Sequence, residues 1–144
     1  MSGSSDKIIK VWNIQERREE FSLQGHLVGI TSVAISSDCK YVVSGSYDET
    51  IKVWNIQERR GEFSLHSDLV RSVAISSDSD YIISRSMDNI IKVWNIQERR
   101  EKFPLQGHDS YICNIEFSSN FKYIVSGSPY NILKVWTFKE IEKN

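Results

Sequence analysis

Short runs of β-branched and aromatic residues alternate with clusters of turn formers along the chain. "TSVAIS" (31–36), "KYVVSGS" (40–46), "TIKVWNI" (50–56) and "EEFSL" (19–23) are typical runs, and "SSD", "SYDE" and "NIQE" lie between them. Such runs, bounded by turn chemistry, predict strands. No stretch of twelve residues carries a 3.6-residue apolar stripe, which argues against a helical solenoid. Proline is nearly absent from the runs, as ladder hydrogen bonding requires; Pro104 in "EKFPLQGH" suits an outer edge strand.

The runs recur with a period. Trp12, Trp54, Trp94 and Trp136 are spaced by 42, 40 and 42 residues. "KVWNIQERR" occurs unchanged at 10–18, 52–60 and 92–100, and a drifted copy, "LKVWTFKE", covers 133–140. A period of this size marks a repeat architecture, in which each supersecondary unit buries its faces against its neighbours. Four strands per period predict one antiparallel sheet per repeat. His26, His66 and His108 share one register: each stands 18 residues before a serine (Ser44, Ser84, Ser126) and 28 before a tryptophan (Trp54, Trp94, Trp136). An aspartate follows the first two histidines at 22 residues, Asp48 and Asp88, whereas the third has Tyr130 there.

With Gly25-His26, Gly107-His108 and Trp-Asn at 12–13, 54–55 and 94–95, the chain resembles the WD-repeat β-propeller family over nearly all its length. The resemblance implies an all-β propeller segment of four-stranded antiparallel blades, each pinned by a Trp–Ser–His–Asp hydrogen-bond network. One network would be His26, Ser44, Asp48 and Trp54; the next His66, Ser84, Asp88 and Trp94; the last His108, Ser126 and Trp136 without a carboxylate. The donor and acceptor inventory of these groups suits such a chain. One histidine per repeat gives no metal-ligand set. A hydrolase triad is a poor reading, because the set recurs once per repeat with an indole attached and lacks a nucleophile elbow.

Two departures carry expectations. Leu65 is followed directly by His66, so the Gln-Gly of the other copies is missing, and that loop should be tighter for want of glycine freedom. Tyr130, preceded by Pro129, leaves the last turn without its anchor.

The histidine belonging with Trp12 would fall ahead of Met1, so the chain reads as one propeller segment of about three and a half blades: a half blade at 1–23, then blades at 24–66, 66–107 and 108–144, with "TFKEIEKN" as a poor fourth strand. Such a ring is incomplete. Its open flanks point to further propeller repeats in a longer protein, or to a homo-oligomer that completes the ring.

Composition narrows the class. Hydrophobic residues at 40% and charged ones at 26% are ordinary for a globular chain, and the net charge of −1 gives no reason to expect nucleic acid or an anionic membrane. The N-terminus lacks the pattern of a secretory signal, and no apolar run is long enough to span a bilayer. Cys39 and Cys113 occupy non-equivalent places and read as reduced thiols. A cytoplasmic or nuclear protein without cofactor or catalytic site is expected.

The variable positions are the residues after each histidine and the turn before each network aspartate. Val28, Ile30, Tyr47, Arg71, Arg85, Met87 and Tyr111 are the candidate partner-binding face, suited to other proteins or peptides. Arg71 and Arg85 together could read a phosphorylated or acidic peptide; the blander alternative pairs them with Asp68 or Asp88 to hold the loop. The repeated Glu-Arg-Arg, neutralised by nearby glutamates, reads as a solvated outer edge.

Overall fold

The computed structural model describes residues 2–106, 108–109, 111–120 and 122–137, with side chains from Ser4 onward. Gly107 and the strand expected beyond Thr137 lie outside the described residues. Among the described residues fourteen strands form four antiparallel sheets. The first holds β1 (Ser2–Gly3), β2 (Ile8–Asn13) and β3 (Arg18–Gln24). The second holds β4 (Ile30–Ile35), β5 (Tyr41–Ser46), β6 (Thr50–Asn55) and β7 (Arg60–His66). β8 (Val70–Ile75), β9 (Tyr81–Ser86), β10 (Ile91–Asn95) and β11 (Arg100–Leu105) make the third. The fourth comprises β12 (Asn114–Phe117), β13 (Tyr123–Gly127) and β14 (Leu133–Thr137). Every strand pairs with its neighbour in sequence, so each sheet is a meander.

Local chemistry sets these limits. Asp6, Asp48 and Asp88 each accept the amide two residues on, at 3.0–3.1 Å, and the residue between (Lys7, Glu49, Asn89) holds a φ of 62–71°. The carboxylate thus offsets the cost of a left-handed non-glycine residue in a tight turn. In "NIQERR" the asparagine side chain caps the glutamate amide three residues on, at 2.8–3.0 Å in all three copies. The ladder slips by one residue at Trp12, Trp54 and Trp94, and again at the starts of β4 and β8. Such bulges re-aim side chains, here including Thr31 and Arg71.

The core lies between sheets. Ile9, Phe21 and Leu23 of the first sheet pack with Ile30, Val42 and Trp54 of the second. The same arrangement repeats where Ile51, Val53 and Leu65 meet Val70, Ile82 and Trp94. It repeats again where Ile91, Val93 and Leu105 meet Ile112, Ile115 and Ile124. Both faces of the second and third sheets are covered, so β5 and β9 are buried at every position after their opening tyrosine.

Candidate functional site

Four side chains, from the loop before β4 (His26), β5 (Ser44), the β5–β6 turn (Asp48) and β6 (Trp54), meet in one chain of hydrogen bonds. Trp54 Nε1 donates to Ser44 Oγ at 2.8 Å, and Ser44 Oγ lies 2.6 Å from His26 Nε2. His26 Nδ1 lies 2.8 Å from Asp48 Oδ2. A carboxylate only accepts, so Nδ1 carries the proton, and Nε2 accepts from the serine hydroxyl. Asp48 also accepts from the Leu27 amide at 3.0 Å and from the Thr50 amide and hydroxyl at 3.0 and 2.5 Å.

Burial pushes the His26 pKa below its ordinary 6.5 despite the neighbouring carboxylate, so the ring is neutral at pH 7. For Asp48, burial alone would push the pKa up. The hydrogen bonds from Thr50, the Leu27 amide and His26 outweigh it and hold the carboxyl at about 2. Both folded values lie below the unfolded ones, so both groups stabilise at neutral pH and lose that contribution in acid. Urea midpoints should therefore begin to fall below pH 6.5 as His26 protonates in the unfolded chain. They should fall further between pH 3.8 and about 2 as Asp48 does. A flat profile from pH 7 to 4 would contradict the neutral, buried His26.

The second expected network does not assemble. Trp94 donates to Ser84 at 2.8 Å, but His66 is exposed and forms the last pair of β7, opposite Thr50. The register explains why. Leu23, Leu65 and Leu105 pair with Ile9, Ile51 and Ile91. The residue after each leucine is Gln24, His66 or Gln106, so the deletion leaves His66 in glutamine's place on the strand. Among the described residues Asp88 keeps only its turn-locking bond. The glycine argument is corrected too, since no glycine among the described residues has a positive φ. Gly25 is instead small for space: a Cβ there would lie 3.0 Å from the Trp54 ring. In the fourth sheet His108 Nε2 lies 2.8 Å from Ser126 Oγ, and Trp136 reaches the same oxygen at 3.4 Å. Tyr130 is 70% exposed and contributes nothing to it.

Comparison with known proteins agrees with this geometry. The family model described as WD domain, G-beta repeat matches residues 17–55, 57–95 and 99–137. The chain belongs to the WD40 family. No curated protein matches it. Each matched WD40 repeat begins on the outer strand of one sheet and ends on the third strand of the next, so every repeat stitches two sheets together.

In this WD40 chain the two variable loop sets meet at one end of the sheets. Tyr47 N donates to Gly29 O at 3.3 Å, Met87 N to Leu69 O at 3.0 Å and Cys113 N to Gly127 O at 2.7 Å. The loops are therefore joined even in the third sheet, which lacks the histidine–aspartate bond. Val28, Tyr47, Met87 and Tyr111 are exposed on this rim, together with Leu27, which the repeat pattern did not single out. Ile30 is not part of it. As the first residue of β4 it is buried against the first sheet, because the strand begins there.

Arg85 is likewise no rim residue. It is 7% exposed and stands where the second sheet has Gly45 and the fourth has Gly127. A Cβ on Gly45 would lie 2.4 Å from Val70 Cγ1, so that interface has no room for a side chain. One interface later Arg85 fills the slot and donates Nη1 to the carbonyl of Ile112, with Tyr111 5.3 Å away. Ile112 occupies Val70's place in the repeat, and the Val70 carbonyl accepts from Thr31 at 2.8 Å. Arg71 holds Thr31's position and stacks 5.7 Å from Tyr111, so Arg85 takes over the cross-sheet bond. Neither arginine pairs with Asp68 or Asp88, whose carboxylates cap the Leu69 and Ile90 amides.

The Glu-Arg-Arg turns at the opposite end are more than a solvated edge. Arg59 lies 4.9 Å from the Phe21 ring and Arg99 4.7 Å from that of Phe63, each reaching the preceding sheet. Arg18, Arg60 and Arg100 pair with the glutamate two residues back. An equal phase between glutamate, arginine and phenylalanine in every repeat was the available signal. Among the described residues no cluster of three or more His, Cys, Asp or Glu could hold a metal ion.

Proposed function

We propose that this chain is a protein-interaction scaffold that presents the rim of joined loops to a protein or peptide. WD40 repeats are generally scaffolds of this kind. The observation that carries the reading is the rim itself. Leu27, Val28, Tyr47, Met87 and Tyr111 are 40–77% exposed, on loops tied to a rigid sheet stack. Large apolar side chains held out from a rigid scaffold favour docking of a partner's apolar groups. Affinity for a phosphorylated or acidic peptide would rest on Arg71 alone, because Arg85 is engaged between sheets.

Photo-crosslinking residues at Tyr47 or Met87 should trap a discrete protein partner. The same groups at Gln57 or Gln97, on the opposite end, should not. A Val28→Ser, Tyr47→Ser double variant should abolish the Met87 cross-link. Equal trapping from both ends would refute the rim reading. Cross-linking that persists in high salt, and at the wild-type level in Arg71→Ala, would exclude an Arg71-held acidic peptide.

A further inference from the structure

One junction between sheets departs from the repeat at three places together. Across the second and third sheets those places hold Thr31, Gly45 and Leu69; across the third and fourth they hold Arg71, Arg85 and Tyr111. The three departures converge in space. The Arg71 guanidinium lies 5.7 Å from the centre of the Tyr111 ring, and that of Arg85 lies 5.3 Å from it. No other tyrosine among the described residues has a cation over its ring.

The two charges are uncompensated. Among the described residues no ion pair includes either arginine. Arg85 is 7% exposed, and the Nε of each arginine is buried without an acceptor. Like charges repel and a buried donor without an acceptor costs free energy, so this spot favours negative charge. The Tyr111 hydroxyl is within its reach. A hydrogen bond from Arg85 and the charge of Arg85 hold that hydroxyl below its ordinary pKa of 10 against the effect of burial, and the charge of Arg71 adds to them. Tyr111 is 44% exposed and lies between β11 and β12, outside any strand.

We propose that Tyr111 is a phosphorylation site whose phosphate is received by Arg71 and Arg85. The phosphoryl donor is a nucleoside triphosphate held by a protein tyrosine kinase. The Tyr111 oxygen attacks the γ-phosphorus, the bond from that phosphorus to the nucleoside diphosphate breaks, and the phenolic proton leaves to the kinase's base. The product carries about −1.5 to −2 charge at neutral pH. Guanidinium forks match its oxygens, and two of them suit a dianion. The oxygen that takes the phosphate already sits beside Arg85, so the charge arrives at its receptor without a separate binding step. The bond would tie the loop before the fourth sheet to the third sheet. This inference does not rest on the rim's role in docking a partner, and its test reads no partner.

Two measurements test it. A tyrosine kinase catalytic domain with ATP should phosphorylate Tyr111 in the folded chain, read by mass spectrometry, with Tyr130 at 70% exposed as the internal control. Separately, the full chain carrying phosphotyrosine at 111 from translation is titrated by phosphorus-31 resonance. The second ionisation should have its midpoint at about 5 or below, against about 6 for an unpaired phosphomonoester, because nearby cations favour the dianion. Arg71→Thr and Arg85→Gly each install the residue that the second sheet uses at that place. In each the midpoint should return toward about 6. Circular dichroism checks the fold, and Arg71→Thr decides alone where Arg85→Gly does not fold. A wild-type midpoint at about 6, or a lowered midpoint that Arg71→Thr leaves unmoved, would overturn the assignment. Phosphate on Tyr130 with none on Tyr111 would overturn it as well.

Discussion

Asp48→Ala is expected to destabilise the fold by about 3 kcal/mol and Asp88→Ala by less than about 1 kcal/mol, although the two aspartates hold the same place in the repeat. Asp48 is 4% exposed at its side chain and accepts from His26, Leu27 and Thr50. Its removal leaves buried donors unpaired, and hydrogen bonds to a charged group are the costlier ones to lose. Asp88 accepts one exposed amide, that of Ile90, and water can replace it. Urea midpoints of the two variants, measured under identical conditions, check the difference. Equal losses would mean that His66 joins Asp88 in solution.

Trp94→Ala should cost about 3–5 kcal/mol, the largest effect expected of a single side chain here. The indole is 3% exposed and packs among Val43, Ile51, Val53, Leu65 and Ile82, so truncation opens a cavity between two sheets. It also removes the indole donor to Ser84 Oγ. Trp94→Phe separates the terms: most of the packing stays, the hydrogen bond goes, and the cost should fall to about 1–2 kcal/mol. Calorimetry or urea unfolding reads both. A Phe variant as unstable as the Ala variant would place the stabilisation in the hydrogen bond rather than in packing.

Strand content and sheet order were legible because both follow from local rules. Runs of β-branched and aromatic residues, aspartate turns and asparagine caps recur at fixed spacing, and each acts within a few residues. The first network was legible for the same reason, since its spacing survives from His26 through Trp54. The second was misleading. Counting forward from His66 to Ser84 and Trp94 places it in the network, but pairing with β6 counts from Leu65 and places it on the strand. Strand pairing prevails because it is fixed by six ladder positions and a buried leucine, whereas the histidine would need loop residues that the deletion removed.

Arg85 shows the other limit. Its neighbours in sequence are turn residues, which suggested an exposed rim, but it lies on β9 facing the next sheet. Whether that position holds a glycine crowded by valine, an arginine reaching a carbonyl, or a glycine facing open space depends on which chain segment stands opposite.

The sequence by itself determined the repeat, the four-strand meander, the turn chemistry and the family resemblance, because those are set by residues close along the chain. Only the tertiary structure decided which copies of identical letters are buried. Trp12, Trp54 and Trp94 share the same nine residues, and their exposures of 45%, 3% and 3% are fixed by whether a sheet stands before them. Burial is a property of what packs against a side chain, and for a sheet stack the packing partner is some 40 residues away in the chain.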